Sequence, residues 1–126
     1  MSAMGAAPAR VQVRVQALVL DTTDLERATR FWTHLLGVRV VAEEPEWVDF
    51  SPIGGDGLSM ALQLVPEAKA VKNRLHLDLL TPDVVEAGRW AALLGATPLG
   101  PLHTGDGSPW QVWCDPEGNE FCFVTG

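Results

Sequence analysis

Leu18-Val19-Leu20-Asp21-Thr22-Thr23-Asp24-Leu25-Glu26-Arg27-Ala28-Thr29-Arg30 returns 59 residues later as Leu77-Asp78-Leu79-Leu80-Thr81-Pro82-Asp83-Val84-Val85-Glu86-Ala87-Gly88-Arg89. Leu18, Leu20, Thr22, Asp24, Ala28 and Arg30 recur as Leu77, Leu79, Thr81, Asp83, Ala87 and Arg89, and Leu36-Gly37 recurs one residue out of phase as Leu94-Gly95. A repeat of this length marks a unit used twice. Each copy opens on a β-type stretch, the first of them Val11–Leu20, alternating and rich in β-branched residues. Each then enters a helix through capping-box spacing, Thr23-x-x-Glu26 and Asp83-x-x-Glu86. Leu25, Ala28, Trp32, Leu35 and Leu36 share one helical face, as do Val84, Ala87, Ala91 and Leu94. Gly37 and Gly95 offer left-handed stops. Strand-like segments follow at Arg39–Glu43, Trp47–Ser51 and Ser59–Val65, then at Thr97–Leu102, Gln111–Cys114 and Glu120–Val124. Turn-forming residues separate them at Ile53–Gly57 and Thr104–Gly107. The expectation is an α+β fold of tandem βαβββ modules, a curved mixed sheet around an open cup. Module one spans 11–65, a polar linker 66–72, and module two 73–126.

The 126 residues suit one domain, with 47% hydrophobic side chains for a core and 20% charged. No apolar run approaches the roughly 18–20 residues of a membrane helix. Met1–Arg10 has no basic start leading into an apolar stretch, so it reads as a disordered terminus and not a signal peptide; the expected location is the cytoplasm. A net charge of −7 argues against nucleic acid and favours a cationic small molecule, although acidity alone also serves solubility. Cys114 and Cys122 are too few for a disulfide framework, and the turn between them offsets them along their strands, so both are expected reduced.

Three motifs carry a family resemblance. Asp24-Leu25-Glu26-Arg27-Ala28 through Phe31-Trp32 to Leu36-Gly37 resembles the first-module signature of the vicinal-oxygen-chelate superfamily, which includes glyoxalase, bleomycin-resistance and extradiol-dioxygenase proteins. Asp115-Pro116-Glu117-Gly118-Asn119-Glu120-Phe121 resembles its closing hairpin, and Lys72–Leu79 resembles the start of a second module in the glyoxalase-like subgroup. The resemblance spans about residues 14 to 124. It implies a homodimer, and in metal-using members a ligand on the first and last strand of each module. Those positions project here onto Ala17, Gln63, His76 and Cys122. Ala17 has no donor, Gln63 only a neutral carbonyl, and Cys122 suits soft metals, so no metal and no cofactor are expected.

Alternation along the strands sorts the remaining candidates. Leu18, Leu20, Leu77, Leu79, Leu62, Leu64, Phe121 and Phe123 fall to the core. Asp21, Gln63, His76, Asp78, Glu120 and Cys122 fall to the cup. His76 and Asp78 are the candidate catalytic pair, with His76 as base and Asp78 orienting it; His76 also admits a structural role. Gln63, Cys122, Trp110, Glu120 and Asp21 are candidate ligand contacts. Glu120 reads equally as a solvated strand-end charge, and Cys122 as a small buried hydrophobe. Trp110 and Trp113 have opposite parity, so at most one faces the cup. No phosphate loop, Cys-x-x-Cys pair or nucleophile elbow is present. The functional expectation is a metal-independent binder of a cationic or aromatic small molecule, or an enzyme using His76 and Asp78. The rivals are a divalent-metal lyase or dioxygenase, and a dimerising domain without chemistry.

Overall fold

The computed structural model describes residues 9–54, 57–105 and 107–126; Met1–Pro8, and Gly55, Asp56 and Asp106 of the two expected turns, lie outside the described residues. The chain runs β1 (Ala17–Thr22), α1 (Leu25–Leu36), β2 (Val40–Glu44), β3 (Trp47–Phe50) and β4 (Ser59–Leu64). It then repeats as β5 (Leu77–Leu80), α2 (Val84–Leu93), β6 (Thr97–Pro98), β7 (Trp110–Cys114) and β8 (Glu120–Val124). This is βαβββ twice. The strands form two four-stranded mixed sheets, ordered β1-β4-β3-β2 and β5-β8-β7-β6, and neither closes into a barrel.

Local chemistry explains the boundaries and three departures from expectation. The first strand starts at Ala17 and not Val11; residues 9–16 are exposed and outside any strand. The sixth strand shrinks to Thr97–Pro98, because Pro98 and Pro101 have no N–H to offer a ladder. The N-cap of α1 is Asp24, whose Oδ1 accepts from the Arg27 N–H, while the Thr23 hydroxyl is turned aside to Glu117. Asp83 caps α2 as expected, accepting from the Glu86 N–H. Gly37 ends α1 in the left-handed region at φ 69°, its N–H returning to the Thr33 carbonyl.

The parity expectation holds on the helix-facing side for Leu20, Leu62, Leu77, Leu79, Phe121 and Phe123, whereas Leu18 and Leu64 are half-buried at its margin. Phe31, Trp32, Phe50, Met60, Leu62, Trp113, Phe121 and Phe123 form one buried cluster, with Leu20, Leu77 and Leu79 packed against it. Residues of both modules contribute, so the modules share a single core. Trp32 packs edge-on against Phe31 and Phe121 at centroid distances of 5.1 and 5.4 Å. Each such ring, fully buried, contributes about 1.5–3 kcal/mol.

The ladder corrects one detail of the repeat. The spacing of 59 carries the first strands and helices, where Asp24 matches Asp83. It fails for the last strands. Val19 pairs with Ala61, and its counterpart Asp78 pairs with Cys122. The partner of Cys122 in module one is therefore Ala61, not Gln63. From first strand to last strand module two is two residues longer than module one, beyond the reach of a fixed offset.

The Asp115–Asn119 turn joins the modules. The Glu117 carboxylate accepts from the Thr22 and Thr23 hydroxyls and the Arg27 guanidinium at 2.8–2.9 Å. Asp115 accepts from the Trp32 indole N–H at 2.9 Å and from the Glu117 and Asn119 N–H groups, and the Asn119 amide donates to the Asp21 carbonyl. Burial draws the Glu117 carboxyl upward, but its hydroxyl, backbone and guanidinium donors outweigh this and hold it below the ordinary range. For Asp115 burial wins, and its carboxyl lies above the ordinary range despite its donors. The motif that resembles a family hairpin thus works here as a clasp.

Candidate functional site

The face of each sheet turned away from the helices is built in rows, one residue from each strand. In module two the ladder aligns Asp78 with Cys122 and Val112, and the next row aligns Leu80 with Val124 and Trp110. His76 precedes β5, two residues from Asp78 and on the same side. Its Nε2 lies 3.3 Å from Asp78 Oδ1, with half of each side chain open to solvent (50% and 59%). The structure thus brings His76, Asp78 and Cys122 together. Trp110 stands two strands from Asp78, roughly 10 Å across the sheet. The His103 ring stacks on Trp110 at 3.9 Å and 14°, and the indole keeps an exposed surface. Trp113 has the opposite parity and is buried beneath α2, as expected.

Cys122 is buried at the centre of this face. Burial raises its thiol, and the Asp78 charge raises it further, so the neutral thiol is favoured. Cys114 is raised by burial and then by Glu120. Both cysteines are free.

Glu120 departs from the reading as a solvated charge. Its side chain is buried, accepting from the Asn73 N–H at 3.2 Å, with Lys69 Nζ at 3.3 Å and Lys72 Nζ at 3.6 Å. Burial pulls its carboxyl upward, but the Asn73 donor and the two lysines prevail and hold it low. The cations come from the linker, so Glu120 anchors the linker to the end of β8.

Module one has different contents. Its rows read Asp21–Gln63–Trp47 and Val19–Ala61–Asp49. Gln63 and Asp21 are therefore direct partners on the module-one sheet. Asp21 also lines a cavity of about 360 Å³ under the linker, with Lys69, Asn73, Glu117 and Asn119. The Trp47 indole donates to Asp49 Oδ1 at 2.9 Å. Reading the sequence did not single out Asp49. The signal was present: Val48 and Phe50 are core residues, so their neighbours must face the other way.

The family model of the glyoxalase-like domain matches residues 17–124. The chain belongs to that family. The glyoxalase-like domain is a branch of the vicinal-oxygen-chelate superfamily, and solved structures of similar fold agree. A glyoxalase-related enzyme from Fulvimarina pelagi is 20% identical with a TM-score of 0.71, the match covering 90% of this chain and 88% of that one. A fosfomycin resistance protein, FosX, from Mesorhizobium loti is 19% identical with a TM-score of 0.71, covering 93% and 94%. A glyoxalase/bleomycin resistance protein/dioxygenase family enzyme from Burkholderia phytofirmans PsJN is 16% identical with a TM-score of 0.71, covering 87% and 96%. No curated protein matches the sequence. At these identities the likeness is one of fold.

The donor set of this glyoxalase-like domain does not fit the metal of its metal-using relatives. Module one offers Ala17, Ala61 and Gln63. In module two the Cys122 thiol is held neutral and Glu120 is taken by two lysines and a backbone N–H. On the module-two face His76 and Asp78 remain accessible and face each other, while the carboxylates of module one, Asp21 and Asp49, have no histidine or cysteine partner in their rows. Among the described residues no group of three or more His, Cys, Asp or Glu is placed to hold a metal ion. No helix among them is long and apolar enough to cross a membrane.

Proposed function

We propose that the open face of module two seats a small organic cation with a flat apolar body, without a metal or cofactor. The observation that supports this most is the placement of Asp78. Among the described residues it pairs with no Lys or Arg, only with His76. Beside it runs the apolar row Leu80–Val124–Trp110, ending in an indole. A ligand with its cation at Asp78 and its ring against Trp110 would span roughly 10 Å, bridging β8. Cys122 and Val112 would lie beneath it, and Gln63 and Asp21 belong to the other module's wall. The chain's charge of −7 would concentrate such a ligand at the surface.

The 3.3 Å contact between His76 and Asp78 favours a second reading of the same face, in which His76 accepts a proton from the bound molecule while Asp78 orients the ring. The cytoplasm is the proposed location, which two free thiols suit. A two-fold homodimer is the proposed assembly, because unpaired edge strands such as β2 invite a partner. Titration calorimetry with cationic aromatic compounds, and with neutral compounds of the same shape, tests the ligand class. Micromolar heats from the cations alone support it; equal binding of both sets would sink it.

A further inference from the structure

Arg10-Val11-Gln12-Val13-Arg14-Val15-Gln16 is strand sequence without a strand. Its valines alternate with polar residues and favour β structure, yet they are 77%, 80% and 70% exposed at positions 11, 13 and 15. Gln16 accepts the Ser59 N–H; the backbone from Arg10 to Val15 has no partner among the described residues. The segment leads directly into β1, an edge strand, and its valines are in phase with Ala17 and Val19. Between this arm and the approach to β4 lies a cleft of about 670 Å³, lined by Arg14, Val15, Gln16, Gly57 and Leu58.

We propose that this arm adds as a β-strand to the free edge of β2 in a second copy of the chain. Of the edges available, β6 is two residues long and contains Pro98, so it is blunted. The approach to β5 carries Lys72 and Arg74, which repel an arm bearing Arg10 and Arg14. The β2 edge is five residues long and ends in Glu43 and Glu44, both exposed. A bulge leaves Val41 exposed at its start. Between β2 and α1 runs a groove of about 440 Å³ with Leu25 and Val48 in its wall; Glu26, Glu43 and Glu44 line it together with Arg30 and His34, so its formal charge with neutral histidine is negative. An arm whose valines alternate with Arg10, Gln12, Arg14 and Gln16 brings an apolar side to that groove and two cations to an edge that ends in Glu43 and Glu44. Backbone pairing supplies affinity and the charges set the partner. The inference deepens the homodimer reading by naming its surface, and it is independent of any ligand on module two.

Two variants of the full chain test it, R10E/R14E and E43R/E44R, with circular dichroism as the fold control because all four residues are exposed. In the parent, hydrogen exchange should slow at the amides of 11–15 as concentration rises into the dimer range. Each variant alone should lose that protection and associate at least about tenfold more weakly, since like charges meet at the edge. An equal mixture of the two should recover it, because each arm then meets an edge of opposite charge. Protection that survives E43R/E44R would overturn the proposal in favour of arm-to-arm pairing. A dimer of twice 13.6 kDa whose arm amides exchange freely would overturn it and leave the homodimer standing. A monomer at every concentration would remove both.

Discussion

The two modules are alike where they face the helices and unlike where they face away. On the helix side Leu20 and Leu79, Ala28 and Ala87, and Met60 and Phe121 fill matching places in one core. On the open side module one offers Val19, Ala61, the Asp21–Gln63 pair and a tryptophan whose N–H is already satisfied by Asp49. Module two offers a carboxylate beside a histidine, a neutral thiol and an indole with free surface. The packed face of a repeat is constrained by its partner's shape, because interiors are close-packed. The open face has no such constraint and can diverge, and here the histidine–carboxylate pair stands on the second copy.

That contrast can be broken or sharpened by substitution. The largest expected effect is at Trp32, a module-one residue bonded to module two. Trp32→Ala should cost about 3–5 kcal/mol, read as a single shifted transition in denaturant. Two separate transitions in the parent would mean the modules do not share a core. Trp32→Phe should recover part of the loss and leave Asp115 one donor short.

The clasp comes next. Replacing Glu117 with Ala removes three charge-assisted hydrogen bonds and leaves Arg27 unpaired, costing about 1.5–3 kcal/mol. The pH dependence has a definite sign. A carboxyl held low in the folded state stabilises fully above its unfolded value, and that contribution disappears as pH falls through the folded value. Asp115, held high, acts in the opposite sense, because protonation relieves its burial. Thermal midpoints should therefore fall more steeply on acidification in the parent than in Glu117→Gln. Parallel curves would assign the clasp no electrostatic role.

A smaller effect separates the helices. A Cβ on Gly88 would lie 2.6 Å from the Trp113 ring, whereas its counterpart in the 59-residue repeat, Thr29, is half-exposed. Gly88→Ala should cost about 1–3 kcal/mol through overpacking, against roughly 0–0.5 kcal/mol for Thr29→Ala. Equal losses would mean Trp113 has room to move.

How much of this was legible in the sequence follows from the same contrast. Alternation and caps disclosed the ten elements and the core parity, because burial imposes a period of two on strands and 3.6 on helices. The strand content of 11–16 was misjudged, since its pattern is that of a strand but its backbone from Arg10 to Val15 has no partner among the described residues. The offset between last strands was missed because insertions in loops leave no periodic trace. Glu120 was misplaced for another reason: its burial depends on Lys69 and Lys72 folding back from the linker, a contact no local pattern announces. Parity sufficed to put His76 beside Asp78 and Cys122. It does not relate Gln63 to them, because that depends on how two sheets are disposed.

The central claim is that the ligand seat belongs to module two and centres on Asp78. Titration calorimetry of a cationic aromatic ligand against the parent, Asp78→Asn and Asp21→Asn tests it directly. Losing the charged contact at Asp78 should weaken binding by about 1.5–3 kcal/mol, and the same change at Asp21, on the module-one face, by roughly 0–0.5 kcal/mol. Equal losses at the two positions, or a loss at Asp21 alone, would contradict the account.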